Sequence, residues 1–587
     1  MQDKKLILIS IISMFLVALI LLGGTFALWF ARNVQEGTNR IASLTCLATS
    51  INDVTDAINI NNAYPITNED GMNTKPYSFS ITNNCDIYVS VDITLEVQSL
   101  TTMPLEYVRV SLHELGGTID NSRILNDDFL LETEIILSPN EVLEYDLRIW
   151  MDASTPYEEG RGTTFISKVV LLTAPASDPG PILVDLDENM IPIMWDLNTD
   201  SWVKANRHNK GSYAWYDYDN FQWANAVLVT DTNRENYKIA PAGTTIPETD
   251  ILAYFVYIPR YRYQLWNVAN DGINKNPQII NIEFQKKTDP KSNGSINGDW
   301  LTHPAFTFGT TELNGIWVGK FQTTGSVMNP TIKPNLASLA NQNVYTQFTT
   351  AKGFNTHPEF GINTNDAINV HMMKNIEWGA VTYLSQSIYG FAGNPAFGST
   401  ITTKRMYINN LYSSNQSRTG CSAGNHNAGQ VTTCAHPFPN NGTVATNSNT
   451  GTSTTGTIYG IYDMVGALYE SVMGVMDNAN GTPFQISSSG FFSVPDTKYW
   501  DRYEFSNSQN YNRGLLGDAT KETMANWTSA DINAWYDAFS LLNSGTLPWL
   551  VRGGIYNQTV NASAFSFVHS GGNPNVFYAF RSVLVFE

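Results

Sequence analysis

The chain has 587 residues, 42% of them hydrophobic, which is enough apolar material for cores in roughly two to four domains. Charged residues make up only 15%, and 34 basic residues against 53 acidic ones give a net charge of -19. A disordered chain is therefore excluded. We expect no nucleic-acid partner, because there is no basic surplus to displace counterions from a phosphate backbone.

The N-terminal segment predicts export. Lys4 and Lys5 precede an uncharged run from Leu6 to Phe30, and positive charge before an apolar stretch directs the following chain outward. The run can span a membrane as a helix, while Thr25-Phe26-Ala27 also resembles a signal-peptidase site. Residues 1–32 are therefore expected to be a signal peptide or a membrane-anchor helix. The protein is predicted to lie at the extracellular face of the membrane, or to be secreted if the leader is cleaved.

Residues 33–173 have the alternating pattern of half-buried strands. The pattern is carried by five segments with turn residues between them: Tyr77–Ile81, Tyr88–Val97, Glu134–Leu137, Leu143–Met151 and Thr164–Leu172. Short strands at this spacing are typical of an all-β sandwich. With the leader end Gly23-Gly24-Thr25-Phe26-Ala27, this part resembles secreted biofilm-matrix and camelysin-type proteins of Gram-positive bacteria. The resemblance implies a stalk or spacer domain.

Four cysteines fit an oxidising exterior. Two local pairs are the simplest of three possible connectivities, so we predict the disulfides Cys46–Cys85 and Cys421–Cys434. Metal binding is the alternative, but there is no Cys-x-x-Cys pair and no histidine at ligand spacing. No metal site is therefore predicted.

The next two segments predict a linker and an aromatic hairpin. In residues 174–189, Pro179-Gly180-Pro181 cannot continue a strand or a helix, so domains are expected to separate there. Residues 190–250 include Trp215–Val227, where an Asp-Asn turn between aromatic residues predicts a β-hairpin subdomain. We expect its rings to pack internally; the alternative is an exposed sugar-stacking surface.

Residues 251–587 carry five motifs in a fixed order. They are Phe255–Pro259, Gly315–Phe321, Asn375–Ala380, Ile458–Glu470, and Arg552-Gly553-Gly554 followed by Phe580-Arg581. Their order is similar to that of formylglycine-generating-enzyme (sulfatase-modifying factor) domains. The resemblance implies the α+β, C-type-lectin-like fold of that superfamily. The predicted fold class is thus a multi-domain chain with an N-terminal helix, an all-β sandwich and a lectin-like domain.

The residues that would supply catalysis are missing. Oxidase members of that family carry reactive cysteines after the Arg-Gly-Gly motif, and residues 555–587 contain none. Iron-dependent relatives use clustered histidines, whereas His569 is alone in this stretch, and Ala467 and Leu468 depart from the family signature. We therefore predict no catalytic residue, no cofactor and no enzymatic activity. A formylglycine-generating-type oxidase is the disfavoured alternative.

The closer resemblance is to the variable proteins of diversity-generating retroelements, which use the same fold. Error-prone reverse transcription of template adenines turns AAC codons into NNC codons between fixed anchors. NNC codons cannot encode Gln, Lys, Glu, Met or Trp, and from Ile555 to Ala579 only Gln558 is such a residue. The resemblance implies a variable region at about 549–587. It also implies a protein or glycan ligand on another cell, phage or host surface.

Within that region we assign residues to a frame and to a contact surface. Paired glycines allow tight turns and buried arginines need acceptors, so the predicted structural residues are Trp549, Arg552, Gly553, Gly554, Phe580 and Arg581. Tyr556, Phe565 and Phe567 are predicted anchors. The predicted ligand contacts are Ile555, Asn557, Gln558, Thr559, Asn561, Ser563, Ser566, Val568, His569, Ser570, Asn573, Asn575, Val576, Phe577 and Tyr578. Tyr, Ser and Asn are also what antibody paratopes favour.

Calcium has no specific signal in the sequence. Asp217, Asp219, Asp463 and Asp518 lack the spacing of a calcium loop and are predicted turn and cap residues. The sequence thus predicts an exported surface receptor or adhesin, attached to the membrane through its N-terminal helix. A structural or matrix adhesin of fixed specificity remains the alternative.

Overall fold

The computed structural model of the protein describes most of the chain. The described residues are 31–34, 47–51, 58–61, 63–114, 122–125, 129–137, 139–176, 180–187, 189–207, 209, 213–270, 273–362, 367–439, 449–476, 484, 488–506, 511–525, 527 and 531–587. Strands far outnumber helices in them, and the chain divides into the compact units Met1–Gly180 and Pro181–Glu587. The predicted β-rich, multi-domain architecture is confirmed. Most of the predicted leader, residues 1–30, lies outside the described residues.

No helix among the described residues is both long and apolar enough to cross a bilayer.

The first unit is built from strands whose inward faces are apolar. Its elements are β1 (Ala31–Val34), β2 (Leu47–Ile51), β3 (Ile58–Asn61), α1 (Asn68–Met72), β4 (Tyr77–Asn83), β5 (Val89–Val97), β6 (Val108–Glu114), β7 (Arg123–Ile124), β8 (Leu130–Leu137), β9 (Val142–Met151), α2 (Tyr157–Gly160) and β10 (Thr164–Pro175). All five strands predicted from alternation are present, within β4, β5, β8, β9 and β10.

These strands form two five-stranded sheets. One has the order β1-β10-β5-β8, with β3 also paired to β10, and the other has the order β2-β4-β9-β6-β7. A single core contains Ile81 and Leu147 from one sheet and Val91 and Phe165 from the other. Alternate burial along β5 explains this packing, since a period of two turns every second side chain inward. Cys85 is disulfide-bonded, and its predicted partner Cys46 lies outside the described residues.

The described residues of the second unit contain more strands than the first unit and three α-helices. They are β11 (Ile191–Asp196), β12 (Ser201–Lys204), β13 (Asn225–Val229), α3 (Asp231–Ile239), β14 (Ile251–Pro259), β15 (Tyr261–Gln264), β16 (Ile282–Phe284), β17 (Trp300–Thr302), β18 (Thr307–Phe308), β19 (Thr311–Glu312), β20 (Gly315–Gly319), β21 (Thr324–Gly325), β22 (Pro330–Thr331), α4 (Val344–Gly353), β23 (Ile368–Met372), α5 (Asn375–Ser385), β24 (Cys421–Ser422), β25 (His436–Pro437), β26 (Tyr469–Met476), β27 (Asp501–Tyr503), β28 (Asp531–Ala534), β29 (Ala538–Ser540), β30 (Trp549–Arg552), β31 (Phe567–Ser570), β32 (Tyr578–Phe580) and β33 (Ser582–Phe586).

Two sheets organise this unit. The first is antiparallel with the order β12-β11-β13-β14-β20-β33-β23, so the C-terminal strand β33 lies between two others. The second has the order β27-β26-β30-β31-β29-β28, with β32 also paired to β26. Strands β30, β31 and β32 all come from the predicted variable region. The second sheet therefore holds that region in place.

The predicted hairpin subdomain at residues 190–250 is wrong in its detail. Strands β11, β12 and β13 from this segment belong to the first seven-stranded sheet. In place of a hairpin, main-chain bonds between Asp217 and Gln222 close a short turn with a 3-10 helix at Tyr218–Asn220. The Asp217 carboxylate accepts a bond from Asn220 N at 3.2 Å, so the predicted Asp-Asn turn is present, although no regular strand directly precedes it.

The aromatic residues of this segment pack internally, as expected. The Trp215 and Trp223 side chains are at most 1% exposed. Trp215 Nε1 donates to Asn225 O at 2.6 Å and Trp223 Nε1 donates to Tyr389 O at 2.8 Å. With their faces covered and their N–H groups bonded, these rings offer no sugar-stacking surface.

A long irregular segment joins α5 to β26. It contains the disulfide Cys421–Cys434, whose Cα atoms are 5.8 Å apart, which confirms that predicted pair. Side chains bond to the main chain throughout this segment; Asn409 Nδ2, for example, donates to Arg418 O at 2.8 Å. Such local bonds replace the regular ladders of a helix or sheet.

Candidate ligand-binding surface

Arg581 fixes the C-terminal end of the predicted variable region. Its side chain is fully buried, with Nε 2.9 Å from Glu470 Oε2, Nη1 2.7 Å from Gly319 O and Nη2 2.8 Å from Tyr462 O. These acceptors come from β20, from β26 and from the loop before β26. One guanidinium thus ties the end of the region to three separate parts of the unit.

Arg552 fixes the other end in a different way. Its Nη atoms donate to Asn375 Oδ1 and Asp518 O at 3.1 Å, and to Ala519 O and Ala564 O at 3.2 Å. Burial lowers the pKa of Arg552 to about 10, which still leaves it charged at neutral pH. Carbonyl oxygens accept these four hydrogen bonds, and the negative charge of the nearby Asp518 carboxylate acts to raise the pKa of Arg552.

The glycines after Arg552 are required by the backbone. Gly553 and Gly554 have φ values of 87° and 78°, in the left-handed region that disfavours side chains. A Cβ at Gly554 would lie 2.7 Å from Ala562 Cα, inside van der Waals contact. The turn after β30 therefore depends on glycine for both conformation and space.

The remaining predicted frame and anchor residues are buried. Trp549 and Phe580 are fully buried, and Phe565 and Phe567 are at most 3% exposed. Beneath them, Trp378 Nε1 of α5 donates to Ala564 O at 2.7 Å. Helix α5, which begins with the motif Asn375–Ala380, thus holds the main chain of the C-terminal region through a direct hydrogen bond.

The predicted contact residues fall into three groups by exposure. Asn557, Asn573 and Val576 are exposed. Nine others are half-buried: Ile555, Gln558, Thr559, Asn561, Val568, His569, Asn575, Phe577 and Tyr578. Ser563, Ser566 and Ser570 are at most 8% exposed.

The three buried serines are wrong as ligand contacts. Ser563 Oγ accepts a bond from Phe565 N at 3.2 Å, and Ser570 Oγ accepts one from Gly572 N at 3.1 Å. Small hydroxyl side chains commonly bond the main chain two residues ahead, which turns them into the protein. Ser566 is 0% exposed, so it is equally closed to a ligand.

Gln558 is a bridge within the protein. Its Oε1 accepts from Ile555 N at 2.9 Å, and its Nε2 donates to the Tyr469 hydroxyl. Both ends of the amide are thus bonded internally. We assign Gln558 to the support of the loop after Gly554.

An aromatic patch is formed by Tyr412, Tyr556 and Phe577, of which Tyr556 is buried and the other two are half-buried. The Tyr412 and Tyr556 rings are stacked with centroids 4.2 Å apart and an interplanar angle of 5°, and Phe577 lies 5.9 Å from Tyr412. Ile555 packs against the same cluster. The sequence did not reveal Tyr412, because it belongs to the distant loop that carries Cys421–Cys434 and has no motif around it.

The main chain around the patch is held by bonds that do not use the exposed side chains. Asn341 N donates to Asn575 O at 3.0 Å and Val344 N donates to Gly572 O at 3.1 Å. Tyr556 N donates to Ala467 O at 3.1 Å. These three bonds join main-chain atoms only, so they do not depend on exposed side chains such as Asn557 or Val576.

The surface carries almost no charge. Between Gly553 and Phe580 the sequence has no Asp, Glu, Lys or Arg, and His569 is its sole titratable side chain apart from tyrosines. Burial lowers the pKa of His569, and its Nδ1 lies 3.3 Å from Leu542 O. At neutral pH this stretch therefore presents amides, hydroxyls and rings.

A recess adjoins the surface on one side. It measures ≈ 390 Å³, including space open to solvent, and Ala562–Phe565 form one wall. The other walls include Arg405, Tyr536 and residues near the end of α5. No local pattern predicted this recess, because its lining is drawn from five segments that are distant in the sequence.

Comparisons with known proteins add no family. No family model matches the chain, and no curated protein is similar to it. Among solved structures, a chain of the T13 IBDV viral particle aligns over 23% of this chain and 36% of its own, at 12% identity and a TM-score of 0.14. A two-domain esterase active on acetylated mannans aligns over 23% and 40%, at 12% identity and a TM-score of 0.12. Both alignments span less than half of those chains.

Proposed function

We propose that this protein is an exported surface protein that binds a macromolecular ligand through the C-terminal face of its second unit. The observation that supports this most concerns the stretch from Arg552 to Arg581. In it, one set of groups holds the backbone and another set of side chains faces solvent. Buried arginines and main-chain bonds fix the backbone, while uncharged side chains such as Asn557, Asn573 and Val576 face solvent. Such an arrangement suits recognition, in which side chains vary on a constant backbone.

The proposal includes a C-type-lectin-like fold for the second unit. The motif Phe255–Pro259 lies in β14, the motif Asn375–Ala380 opens α5, and Arg552-Gly553-Gly554 begins a turn that glycine alone fits. In proteins of the retroelement kind, that fold carries a diversified segment. We propose the same for residues 555–579 here, with Gln558 as a supporting residue.

Export and membrane attachment through residues 1–32 are part of the proposal. The uncharged run after Lys4 and Lys5 supports export, and the disulfide Cys421–Cys434 agrees with an oxidising compartment. The first unit is proposed as a stalk. Proteolytic shaving of intact cells should release fragments of the second unit without lysis; their absence would contradict surface display.

The diversification can be tested directly in DNA. Deep sequencing of the gene's 3′ end across sibling cells, with a search of the flanking DNA for an imperfect copy of codons 549–587, is the experiment. We expect substitutions confined to positions opposite template adenines, within codons 555–579. A uniform sequence without a nearby copy would leave an adhesin of fixed specificity.

A further inference from the structure

The recess beside the surface has a cationic residue, Arg405, whose contact with the C-terminal segment is to the main chain and not to a side chain of that segment. Arg405 Nη1 donates to the main-chain carbonyl of Val560 at 3.2 Å, and its Cζ lies 5.5 Å from the centre of the Tyr536 ring. A carbonyl acceptor stays the same whatever residue stands at 560. Arg405 is therefore a constant feature beside a segment that we propose to be variable.

Arg405 has donors to offer a ligand. Its side chain is 18% exposed, and its one carboxylate partner in the described part of the chain is Asp537, 2.9 Å away. The Asp537 side chain is 70% exposed, so the pair is weak and exchangeable. A guanidinium has five N–H donors and binds carboxylates in a bidentate manner, which a single exposed partner does not satisfy.

The other residues of the recess determine which ligand group can lie next to a carboxylate bound by Arg405. Phe391, Met406, Val465 and Phe565 supply apolar walls. One guanidinium beside apolar walls matches a short apolar stem that ends in a single carboxylate. An acidic amino-acid side chain, with a methylene stem and one carboxylate, fits both the walls and the charge.

We propose that this recess is a fixed anchor site for a carboxylate side chain of a protein ligand, bound by Arg405. The inference rests on the proposed binding function and names the ligand class as polypeptide. Lys404 lines the same recess, with Nζ 2.8 Å from Ala392 O, and adds positive potential. The variable surface would then choose among ligands that all present an acidic side chain to Arg405.

The test uses the full chain and two small probes that differ in one group. Binding of N-acetyl-glutamate amide and of N-acetyl-glutamine amide is measured by saturation-transfer NMR titration. We expect the glutamate probe to bind in the millimolar range and the glutamine probe to bind at least tenfold more weakly, because only a carboxylate gains charge-assisted bonds. Equal binding of the two probes, or no binding of either, overturns the proposal.

Three variants assign the site. Arg405→Gln should weaken the glutamate probe at least tenfold, and Asp537→Asn should strengthen it severalfold by removing the competing anion. Arg418→Gln removes the same charge from an exposed residue outside the recess and should change nothing. Unchanged binding in Arg405→Gln, or weaker binding in Asp537→Asn, overturns the assignment. Failure here leaves the sequencing test of diversification untouched, so the two proposals fail separately.

Discussion

The guanidinium of Arg581 and the carboxylate of Glu470 form an ion pair inside the second unit, with Nε 2.9 Å from Oε2 and both side chains at most 1% exposed. Burial alone raises the pKa of Glu470, while the Arg581 charge acts to lower it. Each of the two buried charges therefore needs the other as its counter-charge.

Glu470→Gln should lower the free energy of unfolding by about 3–5 kcal/mol, because it leaves Arg581 buried without its counter-charge. Urea denaturation measures the change. Lys498→Met is the matched control: its ion pair with Glu587 is partly exposed, at 23% and 28%, so the loss should be at most about 1 kcal/mol. Equal losses for the two variants would contradict a special role for the buried pair.

Gly554→Ala should destabilise the protein through both strain and overlap. The φ of 78° costs on the order of 1–3 kcal/mol for a non-glycine residue, and the contact with Ala562 Cα adds a similar amount. Gly298→Ala separates the two effects, because its φ is 91° but nothing lies within 4 Å of the added Cβ. If both variants lose the same stability, the predicted overlap at Ala562 is absent.

The stack of Tyr412 on Tyr556 should couple the segment between α5 and β26 to the C-terminal segment. A double-mutant cycle with Tyr412→Ala and Tyr556→Ala is expected to give an interaction energy of about 0.5–1.5 kcal/mol. Tyr412→Phe keeps the ring and should retain the coupling. Additive effects in the cycle would show that the two rings contribute independently.

Glu522 should make stability depend on pH. It is buried, with the hydroxyls of Tyr263 and Tyr383 each 2.9 Å from its carboxylate, and burial raises its pKa to about 7. Between about pH 4 and pH 7 the folded state keeps a proton that the unfolded state has released. Stability therefore falls as pH rises through this window, by on the order of 3 kcal/mol from this group.

Glu522→Gln should make that part of the profile less steep, so that the variant gains stability relative to the wild type as pH rises; Asp463 and Asp501, whose pKa values burial raises to about 6 and about 7, keep part of the slope. Urea midpoints at pH 4.5 and pH 8 measure the effect. Glu359→Gln changes an exposed residue and should run parallel to the wild type. A Glu522→Gln profile that also runs parallel would place the pH dependence elsewhere.

Strands were the most predictable part of the fold. Alternation located β5 and β9 because each has one face in the core and one toward solvent. In Trp215–Val227 the predicted Asp-Asn turn is present, but β13 joins the seven-stranded sheet instead of a separate hairpin, a long-range pairing that local alternation cannot reveal. The long segment between α5 and β26 had no period at all, since side chain to main-chain bonds hold it.

The frame of the candidate site was predictable, and its contact surface only partly so. Arg552 is buried and needs hydrogen-bond acceptors, and the glycines after it need a positive φ. Both needs restrict the residue type, so they are visible as a sequence motif. The orientation of Ser563 and Ser570 could not be predicted in this way, because a serine in a loop can face either solvent or the main chain. Tyr412 and Arg405 reach the surface through tertiary packing alone, which no local pattern encodes.

The position of β33 in the sheet has a consequence for synthesis of the protein. The last strand pairs with β20 on one side and β23 on the other, so the sheet stays open until residues 582–586 leave the ribosome. A product truncated between codons 553 and 581 lacks this strand, so β20 and β23 lose the partner that joins them. Completion of the sheet therefore comes at the very end of translation.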